Sequence, residues 1–176
     1  NWDIGLHYNY DTFLNDASFL RQKNELENIV GQEIFSGRAH YLKFDPLKSY
    51  YQLEKHGLRF DESLGIPHTN GFRLGMAGVF YPFLNQDKRA SSVLSLPLHF
   101  WDSHLNSEVK ITNFEKSVKH LSKIGGVVSL LFHPGQFYNI EDPKMDGIYF
   151  RVLKILQEAE AKSVSPKFLI QQVSCF

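Results

Sequence analysis

The stretch Asp3-Ile4-Gly5-Leu6-His7-Tyr8-Asn9-Tyr10-Asp11, at the start of the chain, is a short apolar run that ends in ionisable residues. The apolar part predicts a β-strand, with His7 at its end and Asp11 four positions later. In α/β folds, the side chains at the carboxyl ends of parallel strands form the functional site. We therefore interpret this stretch as a strand that delivers His7 and Asp11 to a site.

Three later stretches also place polar side chains at the end of a predicted strand. They are Gly37-Arg38-Ala39-His40-Tyr41, His99-Phe100-Trp101-Asp102 and Leu130-Leu131-Phe132-His133-Pro134-Gly135. Residues 127–132 form a continuous apolar run, which is typical of a buried strand in a parallel sheet. We expect the four strand ends to converge on one site.

Segments with helical periodicity alternate with these strands. In residues 16–30 apolar side chains recur at helical spacing, Asn15 or Asp16 can cap the start, and Gly31 can end the helix. The other predicted helices run from Asp45-Pro46 to Gly57, over residues 113–124 with Asn113 as the N-cap, and over residues 147–162. This alternation predicts an α/β fold with a parallel sheet or barrel.

The remaining segments give weaker predictions. Further strands are expected over residues 34–44, 59–60 and 92–99. Residues 65–83 alternate glycines with aromatic residues and are expected to form a long ordered loop, a type of segment that is usually functional or mobile. Residues 168–170 could form a strand.

The composition suits one folded domain. The chain has 176 residues, of which 43% are hydrophobic and 22% charged, so a packed core is expected rather than disorder. The 19 basic and 19 acidic residues balance, which argues against a partner such as nucleic acid or an anionic membrane surface. No run of about 18 apolar residues occurs, so we expect no membrane span. The single cysteine, Cys175, excludes an intrachain disulfide.

His7 and Asp11 are candidate ligands of zinc or a similar divalent ion, because imidazole and carboxylate groups bind such ions. The alternative is a pair at the surface or at a helix cap. His133 is a candidate general acid, because histidine titrates near neutrality. Asp102 nearby would raise the pKa of His133, although both residues could instead serve only the strand end and its turn.

Two arginines are further candidates. Arg38 could orient a catalytic carboxylate by paired hydrogen bonds, or it could be an ordinary surface residue. Arg73 could bind a carboxylate or phosphate of a substrate, or it could form a structural ion pair. His40, next to Arg38 on the same strand, could contact a metal ion or the substrate.

The order of these motifs resembles the polysaccharide deacetylases of the NodB-homology type. That family has an Asp-Asp pair, His-x-x-x-His, Arg-x-Pro-Tyr, an Asp/Trp motif and Leu-x-His. Matching positions here are His7, Arg38-Ala39-His40-Tyr41 with His40 in place of proline, Trp101-Asp102 and Leu131-Phe132-His133. Asp3-Ile4-Gly5-Leu6-His7, Gly37-Arg38-Ala39-His40-Tyr41-Leu42 and Gly71-Phe72-Arg73-Leu74-Gly75 are similar to a bacterial branch that is associated with surface-polysaccharide loci. The resemblance covers residues 3–155.

The resemblance implies a single partial domain over residues 1–176, a distorted (β/α) barrel of the NodB-like type that lacks its first strand or strands. It implies a metal-dependent hydrolase, usually with zinc, that deacetylates a bacterial surface polysaccharide or an amino-sugar precursor. The compartment, cytoplasm or cell envelope, and the oligomeric state stay open. The alternative is an inactive glycan-binding relative or a fragment without function.

The resemblance also implies a role for each matching residue. His133 would protonate the leaving amine, Arg38 would orient the base, and Asp102 would tune His133. His7 and Asp11 would bind the metal ion. The residues expected to contact substrate are Tyr41, through its backbone N–H, together with Trp101, Arg73 and His40. The Asp-Asp motif is absent and would precede Asn1, and Asp11 replaces the second histidine of the metal motif.

Overall fold

The computed structural model describes residues 3–137 and 144–173, and it has mixed α/β architecture. The five α-helices of this part of the chain are α1 (Asp16–Val30), α2 (Ser49–Lys55), α3 (Glu108–Ile124), α4 (Lys144–Glu158) and α5 (Pro166–Val173). Its strands are β1 (Leu6–Tyr8), β2 (Ser36–Ala39), β3 (Phe60–Asp61), β4 (Phe83–Leu84), β5 (Arg89–Ala90), β6 (Leu94–Ser95), β7 (Phe100–Trp101) and β8 (Leu130–Leu131). The predicted α/β class is therefore confirmed, whereas a NodB-like barrel stays a prediction.

The strands form two parallel sheets and one hairpin. Strands β1, β2, β3 and β6 pair in that order, with Leu6 opposite Gly37 and Phe60 opposite Leu94. Strands β7 and β8 form a second parallel pair, and β4 and β5 form the antiparallel hairpin. All strands of the two parallel sheets point the same way, so their carboxyl ends share one side.

Residues 94–101 join the two parallel sheets. The start of this segment is β6, which pairs with β3, and its end is β7, which pairs with β8. Between the two strands, Leu96 N donates to Asp61 O at 3.0 Å and Leu98 N donates to Leu64 O at 3.0 Å. One extended segment therefore keeps the two sheets in register with each other.

Three groups of buried side chains surround the sheets. On one face of the larger sheet, helices α1 and α2 cover a cluster that includes Tyr8, Phe19 and Tyr50. A second cluster joins Phe60 and Leu94 to Leu169 of α5. The third joins β7 and β8 to the facing sides of α3 and α4. Because side chains alternate along a strand, His7 lies opposite to its buried neighbours Leu6 and Tyr8 and is exposed.

The prediction of α1 is confirmed from Asp16 to Val30. The Asn15 side chain accepts a hydrogen bond from Ser18 N at 3.2 Å, and Gly31 ends the helix with a φ of 69°, in the left-handed region that glycine favours. The predicted start of α3 is wrong. Ser107, not Asn113, is the N-cap, because the buried stripe of this helix already begins at Ile111.

The other predicted helices also differ at their ends. The segment after Asp45-Pro46 becomes helical only from Ser49 to Lys55, and Asp45 N is instead bonded to Ser49 Oγ at 3.0 Å. Helix α4 runs from Lys144 to Glu158 rather than over residues 147–162. Residues 168–170 belong to helix α5, so the suggested strand is wrong.

The predicted strands are too long. The strand expected over residues 34–44 ends at Ala39, where residues 40–42 turn with Tyr41 at a φ of 58°. Of the expected strand over residues 92–99, only Leu94 and Ser95 form a strand, β6, and β7 begins after it at Phe100. Only Leu130 and Leu131 of the run 127–132 form a strand, and they are half-buried. Strand length depends on partners elsewhere in the chain, which an apolar run does not reveal.

Candidate functional site

His7, Arg38 and His40 come together at the ends of β1 and β2. His7 lies opposite Arg38 in the parallel register, and its Nδ1–H donates to the Arg38 carbonyl oxygen at 3.1 Å. The ring centroids of His7 and His40 are 4.8 Å apart, in an edge-on arrangement. The strand pairing therefore places two imidazoles side by side.

The pKa of His7 is lowered from its ordinary value. Partial burial is the largest cause, and the hydrogen bond to the Arg38 carbonyl opposes it. The positive charges of His40, Arg38 and His133 lower this pKa further. The effect of His133 on His7 means that the end of β8 lies within electrostatic range of the end of β1.

His133 is held by the buried carboxylate of Asp102. Both carboxylate oxygens lie 3.0 Å from His133 Nδ1, and Oδ2 also accepts the His133 backbone N–H at 2.6 Å. Asp102 is fixed in turn by Ser103 N, which donates to Oδ1 at 2.7 Å. Because Nδ1 is bound to the carboxylate, Nε2 is the ring nitrogen left for a proton transfer. The side chain of His133 is 45% exposed, so a substrate can reach it.

Arg38 orients a carboxylate, and that carboxylate belongs to Glu62. Arg38 NH2 lies 3.0 Å from Glu62 Oε2 and donates to Ser129 Oγ at 3.2 Å. Ser129 Oγ in turn donates to Glu62 Oε1 at 2.9 Å. These three contacts connect Arg38 of β2, Glu62 after β3 and Ser129 before β8 to one another.

Glu62 and Ser129 are residues that the sequence analysis missed. Glu62 directly follows β3, as His133 and Asp102 follow their own strands. Glu62 could have been predicted because functional side chains lie at the carboxyl ends of parallel strands. However, β3 is only two residues long and has no distinctive motif around it. Ser129 carried no signal, since its role depends on a contact with Arg38 across 91 positions of the chain.

The carboxylate of Asp11 lies against the start of helix α1. Its carboxylate accepts hydrogen bonds from Ser18 Oγ at 2.6 Å and from Gln22 Nε2 at 3.4 Å. The hydrogen bond from Ser18 is the main cause that lowers the pKa of Asp11. Asp11 thus contacts the first turns of α1, which is the capping alternative raised from the sequence.

The four candidates for substrate contact are placed differently. Tyr41 is 75% exposed, and its ring packs on His40 with centroids 4.3 Å apart. Trp101 is half-buried and packs on His104 at 4.8 Å. Arg73 donates to the Gly65 carbonyl oxygen at 2.6 Å, so it holds the long loop together. Tyr41 and His40 therefore lie beside His7, whereas Arg73 makes a structural contact.

Among the described residues, His7 and His40 could supply two ligands of a metal site. Since Nδ1 of His7 donates to a carbonyl oxygen, Nε2 carries the lone pair that a metal ion needs, which is the usual arrangement of a histidine ligand. His40 is the neighbouring imidazole. Across residues 3–137 and 144–173, however, no group of three or more His, Cys, Asp or Glu side chains is arranged to hold a metal ion. These residues do not fit a complete zinc site by themselves.

Compared with the models of known protein families and with curated proteins, the chain matches neither. The resemblance to polysaccharide deacetylases therefore rests on the motifs quoted from the sequence. In the described part of the chain, every helix is too short or too polar to cross a membrane.

Proposed function

We propose that this chain is a hydrolase that removes acetyl groups from a bacterial surface polysaccharide or its amino-sugar precursor. The observation that carries the proposal is the pair formed by His133 and the buried Asp102, which follow the paired parallel strands β8 and β7. A fixed imidazole with one accessible nitrogen suits a general acid. It would donate its Nε2 proton to the nitrogen or oxygen that leaves the acyl group.

The surrounding residues would bind and orient the substrate. The exposed ring of Tyr41 offers a face on which a sugar ring can pack. Arg38 and Ser129 would keep the Glu62 carboxylate fixed at the end of β3. Glu62 is thus the carboxylate that Arg38 orients in the described residues, whereas the resemblance places the base in the absent Asp-Asp motif.

The proposal includes a divalent metal ion, zinc in most proteins of the resembling family. His7 and His40 are the residues that would hold it. When bound, zinc would polarise the acyl carbonyl group. The groups described here do not complete its coordination, so we assign no step to it.

A second candidate function is glycan binding without catalysis. One observation favours it: the carboxylate of Asp11, a predicted metal ligand, is hydrogen-bonded to Ser18 and Gln22. A binding protein would use the exposed aromatic residues and would need neither the imidazole proton nor a metal ion.

The two functions are distinguished by measuring acetate release from an acetylated glucosamine oligomer in the presence of zinc. His133→Asn should lower the rate by about 10²- to 10⁴-fold, the usual effect of a general acid. The matched control is His120→Asn, an exposed histidine of α3, which should retain full activity.

Oligomer binding is measured in parallel by calorimetry, with and without EDTA. If the unaltered chain releases no acetate but binds the oligomer equally well with EDTA, glycan binding is the function. If it releases acetate and His133→Asn does so at the same rate, the assigned role of His133 is wrong.

A further inference from the structure

A small cavity lies beside helix α3. It has a volume of about 210 Å³ and lies between the loop segment 68–72 and one side of helix α3. Pockets that hold drug-sized ligands usually measure about 300–1,000 Å³. This cavity therefore suits a small molecule or one functional group of a larger one.

Its wall from the loop is held in place by several hydrogen bonds. Asn70 Oδ1 accepts from Trp101 N at 3.0 Å, and Asn70 Nδ2 donates to His104 O at 2.9 Å. Gly71 N donates to His99 O at 2.8 Å. The cavity is thus formed in advance rather than by closure on a ligand.

The polar side chains at the cavity are positive or neutral. They are His68, Thr69, Asn70, His104, Lys110, Asn113 and Ser117, and among these described lining residues none is acidic. Lys110, Asn113 and Ser117 are spaced by three and four positions, so they lie on one side of α3. The ammonium group, the imidazoles and the amides can donate hydrogen bonds to an anion, whereas the Ser117 hydroxyl donates to Asn113 O at 3.0 Å.

We propose that this cavity is a binding site for a small anionic group, a carboxylate or a phosphate. Lys110 supplies the permanent charge, and His68 and His104 supply charge when protonated. The amide of Asn113 donates a neutral hydrogen bond from α3. The aromatic rings of Phe72 and Phe100 form the rest of the wall and leave room for the apolar part of the molecule that bears the anion.

The charges around His104 support an anion in this place. The pKa of His104 is lowered, first by burial and then by the positive charges of Lys110 and His68, while the carboxylate of Asp102 opposes them. An anion between the three basic groups would offset their mutual repulsion and favour the protonated imidazoles. Binding should therefore be stronger at pH 6 than at pH 8.

This site is independent of the proposed hydrolase function, because none of its residues contacts the His133 side chain in the contacts described above. The two sites are nevertheless close along the chain. Asp102, which binds His133, and His104, which lines the cavity, belong to the same three-residue turn. An acidic sugar could therefore place its charged group here, whereas a neutral sugar could not use the site.

The test is a calorimetric titration at pH 6 with three probes: sodium phosphate, sodium galacturonate and the neutral sugar galactose. Lys110→Gln and His68→Gln should each weaken anion binding by about five- to tenfold, the effect of one charge near a protein surface. Lys116→Gln is the matched control, since Lys116 is exposed on the same helix and does not line the cavity.

Each outcome decides the proposal. Binding of phosphate alone, or of galacturonate alone, supports the site and assigns its anion, provided that Lys110→Gln weakens it and Lys116→Gln does not. Equal binding of galactose and galacturonate would overturn the proposal. So would the failure of both anions to bind, or an equal effect of the two lysine substitutions.

Discussion

Asp61 is a fully buried carboxylic acid on the opposite face of β3 from the candidate site. Its carboxylate accepts hydrogen bonds from Tyr8 OH at 2.8 Å, Ser63 Oγ at 2.7 Å and Ser63 N at 2.9 Å. Burial nevertheless raises its pKa to about 6, because three neutral donors do not replace the lost water. The charged form of Asp61 is therefore unfavourable in the folded protein.

This raised pKa predicts how stability depends on pH. The folded state takes up the Asp61 proton near pH 6 and the unfolded state only near pH 4, so the folded state gains stability as the pH falls between these values. Two pKa units correspond to a gain of about 3 kcal/mol. Urea unfolding at pH 7.5 and pH 4.5 should show about 2 kcal/mol of this gain, because the full gain is reached only below pH 4, and Asp61→Asn should remove most of it.

Asp16 provides the control with the opposite sign. Hydrogen bonds from Lys55 and His56 lower its pKa to about 2, so its contribution to stability is lost only as the pH falls below about 4. Asp16→Asn should therefore leave the difference between pH 7.5 and pH 4.5 unchanged. An equal change in both variants would contradict the role given to Asp61.

At the scale of single residues, the sequence predicted some contacts of the candidate site and not others. The pairing of His133 with Asp102 could be predicted because each follows a strand, and parallel strands bring their ends together. Glu62 could not be assigned to Arg38, since that contact depends on which strand lies beside β2. Asp11 was expected to lie near His7, but the hydroxyl group of Ser18 offers it a closer partner.

Helix α3 allows a test at the level of a single element. Ser107 Oγ accepts a hydrogen bond from Lys110 N at 3.4 Å, and Ser107 has the extended backbone of an N-cap. Ser107→Ala should lower the free energy of unfolding by about 1 kcal/mol, the usual contribution of such a cap. Urea denaturation followed by circular dichroism measures the change.

Asn113→Ala is the matched control for the helix start. Asn113 is exposed in the helix interior, where alanine is the better helix former, so the variant should be as stable as the unaltered protein or slightly more stable. A loss of stability in Asn113→Ala, without one in Ser107→Ala, would place the start of α3 where the sequence pattern predicted it.

The elements differ in how well the sequence predicts them. Helix α1 was predicted to the residue because its cap, its apolar stripe and its final glycine are all local signals. The strands were overestimated because a strand exists only where a partner strand runs beside it. The predicted strand over residues 127–132 is an example. Val127 N donates to the carbonyl oxygen of Ala77, a loop residue, rather than to a strand, so β8 begins only at Leu130.

At the scale of the whole molecule, helix α5 joins the end of the described chain to its centre. Leu169 is buried against Phe60, Leu94 and Leu96. Lys167 N also donates to Asp3 Oδ2 at 3.0 Å, which links α5 to the segment before β1. Helix α5 is therefore part of the packed structure and covers the sheet face that α1 and α2 do not.

Removal of the Leu169 side chain should consequently affect the entire fold. Leu169→Ala should lower the free energy of unfolding by about 2–5 kcal/mol, as expected when a buried leucine leaves a cavity. Phe168→Ala is the control, because Phe168 is 46% exposed on the same helix and should contribute much less. Urea denaturation curves of the two variants compare them directly, and equal losses would contradict the packing described for α5.

The extended segment 94–101 also determines where the chain can tolerate a change in length. An added residue after Leu96 would leave β6 on β3 but would turn the side chains of β7 to the opposite face, because these alternate along a strand. Asp102 would then move away from His133. Insertions should be tolerated in the exposed hairpin turn between β4 and β5. The eight-residue segment that joins the sheets must instead keep its length, because the candidate site forms only at that length.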